Sequence, residues 1–133
     1  MKEFSFPLRV YIEDTDAQGI VYYVNYLKYM ERGRAEWLRS CGFERSAFGD
    51  EGRMFVVHSL ETQYLKPAKL DDQLRVTARS IKYGRAYFVV EQKVFREGEL
   101  LCKGTIKVAC VDQASGRPVA MSAEMIQRVF TEA

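Results

Sequence analysis

The sequence has few of the residues that hold cofactors, metals or disulfides. It contains one histidine and three cysteines among 133 residues, and Cys41, Cys102 and Cys110 show no CxxC spacing. A zinc or redox site of the CxxC type is therefore excluded, and we expect reduced, buried thiols. Walker loops, Rossmann glycine patterns and metal-ligand clusters are also missing, so the sequence predicts no resident cofactor or metal.

Long apolar runs and a strong excess of one charge are missing as well. No segment approaches the roughly 18 consecutive apolar residues that a membrane span needs. Glu3 interrupts the N-terminus before any stretch of signal-peptide length. Lys and Arg number 20 against 18 Asp and Glu, a formal charge of +2, which is too small to predict nucleic-acid binding. These features favour a cytoplasmic protein with no membrane span and no nucleic-acid partner.

The length and composition are typical of one folded domain. With 47% hydrophobic and 29% charged residues, the chain has enough apolar side chains for one core but is too short for two independent ones. It contains no internal repeat, low-complexity run or linker rich in Pro, Gly or Ser. We therefore expect a single domain covering residues 1–133.

The apolar pattern in the first third of the chain predicts a strand followed by one long helix. Apolar and polar residues alternate over residues 4–14, which is the period of a half-buried strand. Apolar residues then recur at helical spacing over residues 24–41. Gly42 follows the last of them and suits the left-handed position that closes a helix.

The remainder of the chain predicts four strands and a short helix. Alternation predicts a second strand, one face of which carries Met54, Val56, His58, Leu60, Thr62 and Tyr64. Further strands are predicted around residues 74–78 and in a hairpin with arms 85–96 and 100–111. Ser122 is expected to cap a terminal helix over residues 123–130.

This order of elements predicts an α+β fold. Strands joined by tight turns run antiparallel, and a helix this apolar must be buried. A curved antiparallel sheet of about five strands wrapped around the long helix is the most economical arrangement. Because one helix leaves long edge strands, which proteins often manage by pairing with a second subunit, we expect a homodimer at least.

The residues with the most chemical interest lie between the first strand and the long helix, in the segment EDTDAQGIVYYVNY. Three carboxylates, Glu13, Asp14 and Asp16, stand within four positions beside bulky apolar residues. From local sequence alone, Asp16 is either a turn or cap residue that accepts backbone N–H bonds or a reactive carboxylate.

A family resemblance covers nearly the whole chain. It is carried by the segments RVYIEDTDAQGIVYYVNYLKYMERGRAEWL and FVVHSLETQYLKPAKLDDQLRV. They resemble the 4-hydroxybenzoyl-CoA thioesterase branch of the hotdog superfamily, and most of all its Tol-Pal-associated acyl-CoA thioesterases. The resemblance implies a hotdog fold, hydrolysis of an acyl-CoA to a free acid and CoA, and a dimer or tetramer. An acyl carrier protein is a further candidate partner.

The resemblance also implies roles for two residues of the loop. The second Asp of the Asp-x-Asp pair is catalytic in that family, and this position is Asp16. The backbone N–H of Tyr23, at the start of the helix, is expected to polarise the thioester carbonyl. Unpaired N–H groups at a helix N-terminus stabilise negative charge that develops on an oxygen. The carboxylate would act either as nucleophile or as general base towards water.

Further residues are expected to contact the substrate. Gly19 allows the loop to turn and the substrate to approach the main chain, and Tyr22 and Asn25 lie beside the expected N–H donor. Cations are needed for the CoA phosphates, and the candidates are Lys66, Lys69, Lys82 and Arg85. The resemblance favours the last two, Lys82 and Arg85.

This chain departs from many members of the family at two loop positions. Tyr23 replaces a histidine, and Gln18 replaces a small residue. Because the expected donor belongs to the main chain, we expect hydrolysis to survive, with the acyl preference left open. His58 lies on a predicted strand, where we expect a structural role. Two other functions on the same fold are left open: a non-hydrolytic acyl-CoA or acyl-carrier-protein binding module, and an adaptor of envelope machinery.

Overall fold

The computed structural model describes residues 3–43 and 52–131, which form a five-stranded antiparallel sheet and its covering helix. The strands are β1 (Phe4–Arg9), β2 (Arg53–Tyr64), β3 (Gln73–Tyr83), β4 (Tyr87–Arg96) and β5 (Glu99–Asp112). Their order across the sheet is β1-β3-β4-β5-β2, and every pairing is antiparallel. β1 and β2 are therefore the two edges, and the predicted α+β arrangement is confirmed.

The long helix α1 (Asn25–Ser40) packs mainly against β1, β3 and β4. Its limits agree with the predicted ones within one residue, and Gly42 closes it with φ of +99°. The helix lies close to the sheet because glycine leaves room for it. A Cβ atom on Gly33 would lie 3.0 Å from Val76 Cγ1, and one on Gly104 of β5 would lie 3.2 Å from Met30 Sδ.

A buried polar side chain of β4 joins the helix to the sheet. Gln92 is fully buried, and its Nε2 donates to the carbonyls of Met30 at 2.9 Å and Thr77 at 3.3 Å. Its Oε1 accepts a hydrogen bond from Arg34 Nη1 at 2.9 Å. A buried amide needs such partners, and these bonds tie the middle of α1 to two central strands.

The first strand is shorter than predicted. β1 ends at Arg9, and a short 3-10 helix covers Ile12–Asp14. Asp14 Oδ2 accepts the N–H of Tyr11 at 2.9 Å, while the Asp14 N–H donates to the Tyr11 carbonyl at 2.9 Å. Hydrogen bonding of this kind between a side chain and nearby backbone competes with strand pairing. These bonds turn the chain towards α1 although the alternating pattern continues to residue 14.

The predicted face of β2 is wrong in the first half of the strand. The pairing with β5 contains a β-bulge at His58, between Val57 and Ser59. One extra residue inverts the alternation, so Phe55 and Val57 share the helix-facing side with Leu60, instead of the even-numbered residues predicted. His58 is exposed at the bulge, and its Nδ1 lies 3.3 Å from the hydroxyl of its neighbour Ser59.

The described chain ends in the short helix that was predicted. Ser122 Oγ accepts the N–H of Met125 at 3.1 Å and caps α2 (Ala123–Met125), which continues as a π-helical turn over Ile126–Phe130. Within residues 3–43 and 52–131, no helix combines the length and apolarity needed to cross a membrane. No disulfide joins cysteines of the described residues, and Cys102 and Cys110 are buried as expected, whereas Cys41 is only half-buried.

Candidate active site

The acidic loop between β1 and α1 forms a tight turn that begins at Asp16. The Asp16 N–H donates to the Ile20 carbonyl at 2.9 Å, and the Gly19 N–H donates to the Asp16 carbonyl at 3.0 Å. Gly19 has φ of +81° and open space around it, a conformation that glycine adopts at little cost. The bridge between Thr15 and Val21 completes a small hairpin.

The Asp16 carboxylate is exposed and has one backbone partner. Its Oδ1 accepts the Gln18 N–H at 2.9 Å, so Asp16 does serve the turn. No Lys or Arg of residues 3–43 and 52–131 forms an ion pair with it. The other carboxylate oxygen is accordingly available to react.

The start of α1 presents two open backbone donors next to this turn. The N–H groups of Asn25, Tyr26 and Leu27 donate to the carbonyls three residues before them. By contrast, the N–H groups of Tyr23 and Val24 meet no acceptor in the part of the chain that the structure describes. Open N–H groups at a helix start carry partial positive charge. A carbonyl oxygen would be stabilised there.

One hydrogen bond ties the acidic loop directly to the start of α1. Asn25 Nδ2 donates to the Asp14 carbonyl at 2.8 Å, and the same oxygen accepts the Tyr22 N–H at 2.9 Å. Asn25 is only 8% exposed. This residue, expected to contact the substrate, therefore uses its amide group within the protein.

A second connection runs through the loop between β2 and β3. The Val21 N–H donates to the Ala68 carbonyl at 2.8 Å, and the Ala68 N–H donates to the hydroxyl of Tyr26 at 2.9 Å. Ile20 and Lys69 form an isolated bridge beside these bonds. The turn is thus held from α1 on one side and from the 65–72 loop on the other.

Exposed aromatic rings border the turn on the side of β2. The rings of Tyr22 and Tyr23 lie 5.2 Å apart, and the ring of Tyr23 meets that of Tyr64 edge to face at 5.7 Å. Tyr64 also contacts Tyr26 at 5.7 Å. Aromatic pairs of this geometry are favourable, and here they join the candidate site to the end of the edge strand.

The helix-facing side of β2 is left uncovered by α1. Val57, Leu60 and Tyr64 are 48%, 44% and 45% exposed. A cavity of about 250 Å³ lies between α1 and this strand, with Glu31 and Arg34 among its lining residues and otherwise apolar walls from α1, β2, β4 and β5. Contiguous apolar surface of this kind is typical of a binding site or a subunit interface.

The two cations favoured for CoA lie far from Asp16 within the protomer. Lys82 is at the end of β3 and Arg85 is in the following turn, whereas the 65–72 loop that supports the candidate site precedes the start of β3. β3 has 11 residues, a rise of roughly 30 Å at about 3.3 Å per residue. By contrast, Lys69 lies beside the turn, because it forms a β-bridge with Ile20.

A larger cavity, of about 830 Å³, lies between the start of β3 and the β4–β5 turn. The three arginines that line it have partners. Arg96 pairs with Asp72 and Glu99 at 2.7 Å each, Arg9 Nη1 donates to the Asp71 carbonyl at 3.1 Å, and the Arg75 guanidinium lies 4.9 Å from the centre of the Phe95 ring. No three His, Cys, Asp or Glu side chains of the described residues are grouped to hold a metal ion.

Known proteins resemble this chain along most of its length. Residues 18–103 match the sequence profile of the thioesterase superfamily. The acyl-CoA thioesterase YbgC of Haemophilus influenzae is 44% identical over 123 residues, covering 92% of this chain and 90% of that protein. The crystal structure of a hypothetical protein from Aquifex aeolicus has a TM-score of 0.87 at 33% identity and covers 95% of this chain and 98% of that one.

A third likeness concerns the fold alone. A crystal structure of 4-hydroxybenzoyl-CoA thioesterase has a TM-score of 0.88 at 19% identity, covering 97% of this chain and 99% of that one. The resemblance to hotdog thioesterases and the predicted hotdog fold are confirmed by these comparisons. The roles of individual residues stay predictions. The chain belongs to the thioesterase superfamily and is a hotdog-fold thioester hydrolase.

Proposed function

We propose that the protein hydrolyses acyl-CoA to a free acid and CoA, with Asp16 as the reactive carboxylate and the Tyr23 N–H as the carbonyl donor. The observation that carries this proposal is the pairing of an exposed carboxylate with an open helix N-terminus seven residues later. The similarity to proteins named acyl-CoA thioesterase supports the substrate class.

The helix start supplies electrostatic stabilisation. A thioester oxygen bonded to the Tyr23 N–H gains negative charge as the carbonyl carbon is attacked, and an unpaired amide at a helix start favours that charge. Removing one such donor costs about 2–4 kcal/mol in known hydrolases. The donor is main-chain, so it persists whatever side chain stands at position 23.

Two routes are open to the carboxylate of Asp16. As nucleophile, its oxygen attacks the carbonyl carbon, the C–S bond breaks and the electron pair leaves with the CoA sulfur, forming a mixed anhydride. Water then cleaves the anhydride, restoring the carboxylate and giving its proton to the thiolate. As general base, Asp16 takes a proton from a water that attacks the same carbon, and that proton passes to the leaving sulfur.

The acyl chain needs an apolar slot near this carbon. The uncovered side of β2, which meets the turn at Tyr64, supplies apolar walls, and Tyr22 and Tyr23 border the turn. The cavity beside α1 lies further along this face, towards the end of β3. Gly19, with open space around it, leaves the main chain accessible. We propose these elements as the acyl-binding region and leave the length and type of the acyl group open.

We also propose that two protomers assemble through β2. The outer side of this strand has no neighbouring strand in the described sheet, and Val57 and Leu60 expose apolar side chains beside it. Pairing two such edges would satisfy the backbone groups and cover the apolar face. If Lys82 and Arg85 bind CoA phosphates, they do so for the site of another protomer, because they lie far from their own Asp16. A tetramer is the larger assembly that the family resemblance suggests.

The test compares purified wild-type protein with Asp16→Asn across acyl-CoAs of increasing length and one aroyl-CoA. We expect kcat to fall at least about a hundredfold, because an acid, base or nucleophile typically contributes that much. Glu13→Gln is the matched control, since Glu13 is an exposed neighbouring carboxylate and its variant should keep full activity.

Two outcomes would contradict the proposal. Full activity of Asp16→Asn would remove Asp16 from the chemistry. Absence of turnover of every acyl-CoA by the wild-type protein would favour the non-hydrolytic binding module or the adaptor. Thermal unfolding of each variant shows whether a loss of activity reflects a loss of fold.

A further inference from the structure

We propose that Asn25 is a positioning residue that fixes the Asp16 carboxylate relative to the Tyr23 amide, and that it does not contact the substrate. The inference rests on the proposed function, because it assigns the clamp that brings its two reactive groups together. It replaces the substrate-binding role expected for Asn25 from the sequence.

The clamp is a side-chain hydrogen bond between the two arms of the site, and it adds to the main-chain bond from the Tyr22 N–H to the same Asp14 carbonyl at 2.9 Å. Asn25 Nδ2 donates to the Asp14 carbonyl at 2.8 Å. Asp14 stands two residues before Asp16, and Asn25 stands two residues after Tyr23. The bond therefore crosses from one arm to the other close to both reactive groups. Asn25 is buried, which suits an internal support better than a contact with a passing ligand.

The main-chain hydrogen bonds of the loop do not attach the Asp16 arm to α1 itself: the Tyr22 N–H that donates to the Asp14 carbonyl precedes the helix, which begins at Asn25. The bonds from Asp16 to Ile20 and from Gly19 to Asp16 fix the shape of the turn, but both ends of each bond move with it. The Val21–Ala68 bond anchors only the arm that follows the turn. The preceding arm, which carries the reactive carboxylate, is attached to the start of α1 through the Asp14 carbonyl.

The Asp14 residue is supported from its other side as well. Its Oδ2 accepts the Tyr11 N–H at 2.9 Å. Asp14 is thus fixed near the end of β1, so its carbonyl is a fixed point to which Asn25 can attach α1.

Loss of the clamp should act on rate more than on binding. Removing the Asn25 amide detaches the Asp14 carbonyl from α1 and leaves it the main-chain bond from the Tyr22 N–H. The arm can then shift, and a misplacement of about 1 Å in a reactive group can cost about a hundredfold. We expect Asn25→Ala to lower kcat about ten- to a hundredfold while KM changes less than about threefold. Asn25→Asp keeps the shape of the side chain and removes the donor, so it should lower kcat similarly, and it serves if Asn25→Ala does not fold.

A double-mutant cycle separates positioning from the other roles. Because the clamp acts through Asp16, Asn25→Ala should cost less than about twofold in the Asp16→Asn background. A substrate contact would raise KM in both backgrounds, and a general loss of fold would lower activity in both. Ser122→Ala is the matched control. It removes another side-chain bond to a backbone partner, far from the site, and should lower stability without changing kcat.

The outcomes are distinguishable. If Asp16→Asn is inactive but Asn25→Ala and Asn25→Asp retain kcat within twofold of wild type, the inference is overturned and the proposed function stands. An additive loss in the double mutant also overturns it. Full activity of Asp16→Asn overturns both.

Discussion

Tyr26 and Tyr29 meet edge to face on α1, with ring centroids 6.0 Å apart, but their buried hydroxyl groups differ. The Tyr26 hydroxyl accepts the Ala68 N–H at 2.9 Å. The Tyr29 hydroxyl meets no acceptor at hydrogen-bonding geometry within the described residues, although the Asp14 carboxylate lies close enough to raise its pKa. Phenylalanine substitutions at these two positions therefore compare the loss of a bonded hydroxyl group with the loss of an unbonded one.

We expect Tyr26→Phe and Tyr29→Phe to differ in stability. Tyr26→Phe leaves the Ala68 N–H without its partner, and losing such a buried bond costs about 1–2 kcal/mol. Tyr29→Phe removes a polar group that has no bond to lose, so its free energy of unfolding should stay within about 0.5 kcal/mol of wild type. Urea unfolding of both variants measures this. A larger loss for Tyr29→Phe would show that its hydroxyl is bonded in solution.

Gly19→Ala should damage the site more than the fold. Its φ of +81° is unfavourable for a residue with a Cβ atom, by about 1–2 kcal/mol. The strain would reshape the turn that carries Asp16, so we expect kcat/KM to fall at least about tenfold. Gly116→Ala is the control, because Gly116 has φ of +74°, also in open space. It should lose similar stability and keep full activity, and equal activity losses would contradict the role of the turn.

The ion pairs of Arg96 should make stability depend on pH. Burial opposes the shift, but hydrogen bonds from Arg96 and from the Lys69 N–H lower the pKa of Asp72, and those from Lys66 and Arg96 lower the pKa of Glu99. A carboxylate with a lowered pKa stabilises the fold above its ordinary pKa, about 4. That contribution disappears as the pH falls through the lowered value.

Arg96→Gln should therefore lower the urea midpoint at pH 7 and lower it less at pH 3, where part of the contribution of Asp72 and Glu99 has been lost. These groups are partly exposed, so we expect a modest difference. Arg9→Gln is the control, because Arg9 bonds a backbone carbonyl, which does not titrate. Its effect should be the same at both pH values, and a pH-independent effect of Arg96→Gln would contradict the assignment.

A charge on the uncovered face of β2 should block self-association. We expect the wild-type protein to sediment as a dimer or larger, and Leu60→Lys to sediment as a monomer, because burying an unpaired ammonium group is costly. Thr105→Lys adds the same charge on the opposite face, where Thr105 pairs with Glu61 and Glu91, and should leave assembly intact. A dimeric Leu60→Lys would place the interface elsewhere.

Local patterns allowed most of the fold to be predicted. Helical spacing and the glycine after it gave the limits of α1 within one residue. Two features depended on pairing between distant segments or on a specific hydrogen bond. The bulge at His58 follows from the register with β5, and β1 ends early because Asp14 bonds the Tyr11 N–H. The alternation of apolar and polar residues along the sequence carries no information about either the strand register or this hydrogen bond.

The residues of the candidate site that are close together in the sequence could be singled out from the sequence. Asp16, Gly19 and Tyr23 lie within one short segment, so motif and helix start sufficed to single them out. The internal bond of Asn25 was missed, although a buried Asn beside a carbonyl-rich turn is a signal of such a clamp. The distance of Lys82 from Asp16 follows from the length and direction of β3, which only the assembled sheet reveals.

The open donor at the start of α1, its clamp and the acidic turn all lie within residues 14–25, whereas the apolar walls come from β2, β4, β5 and the later turns of α1. The proposed hydrolytic residues and most of this apolar surface are thus encoded by separate stretches of the gene. Mutations that reshape the surface can accumulate while the twelve residues of the candidate site stay unchanged.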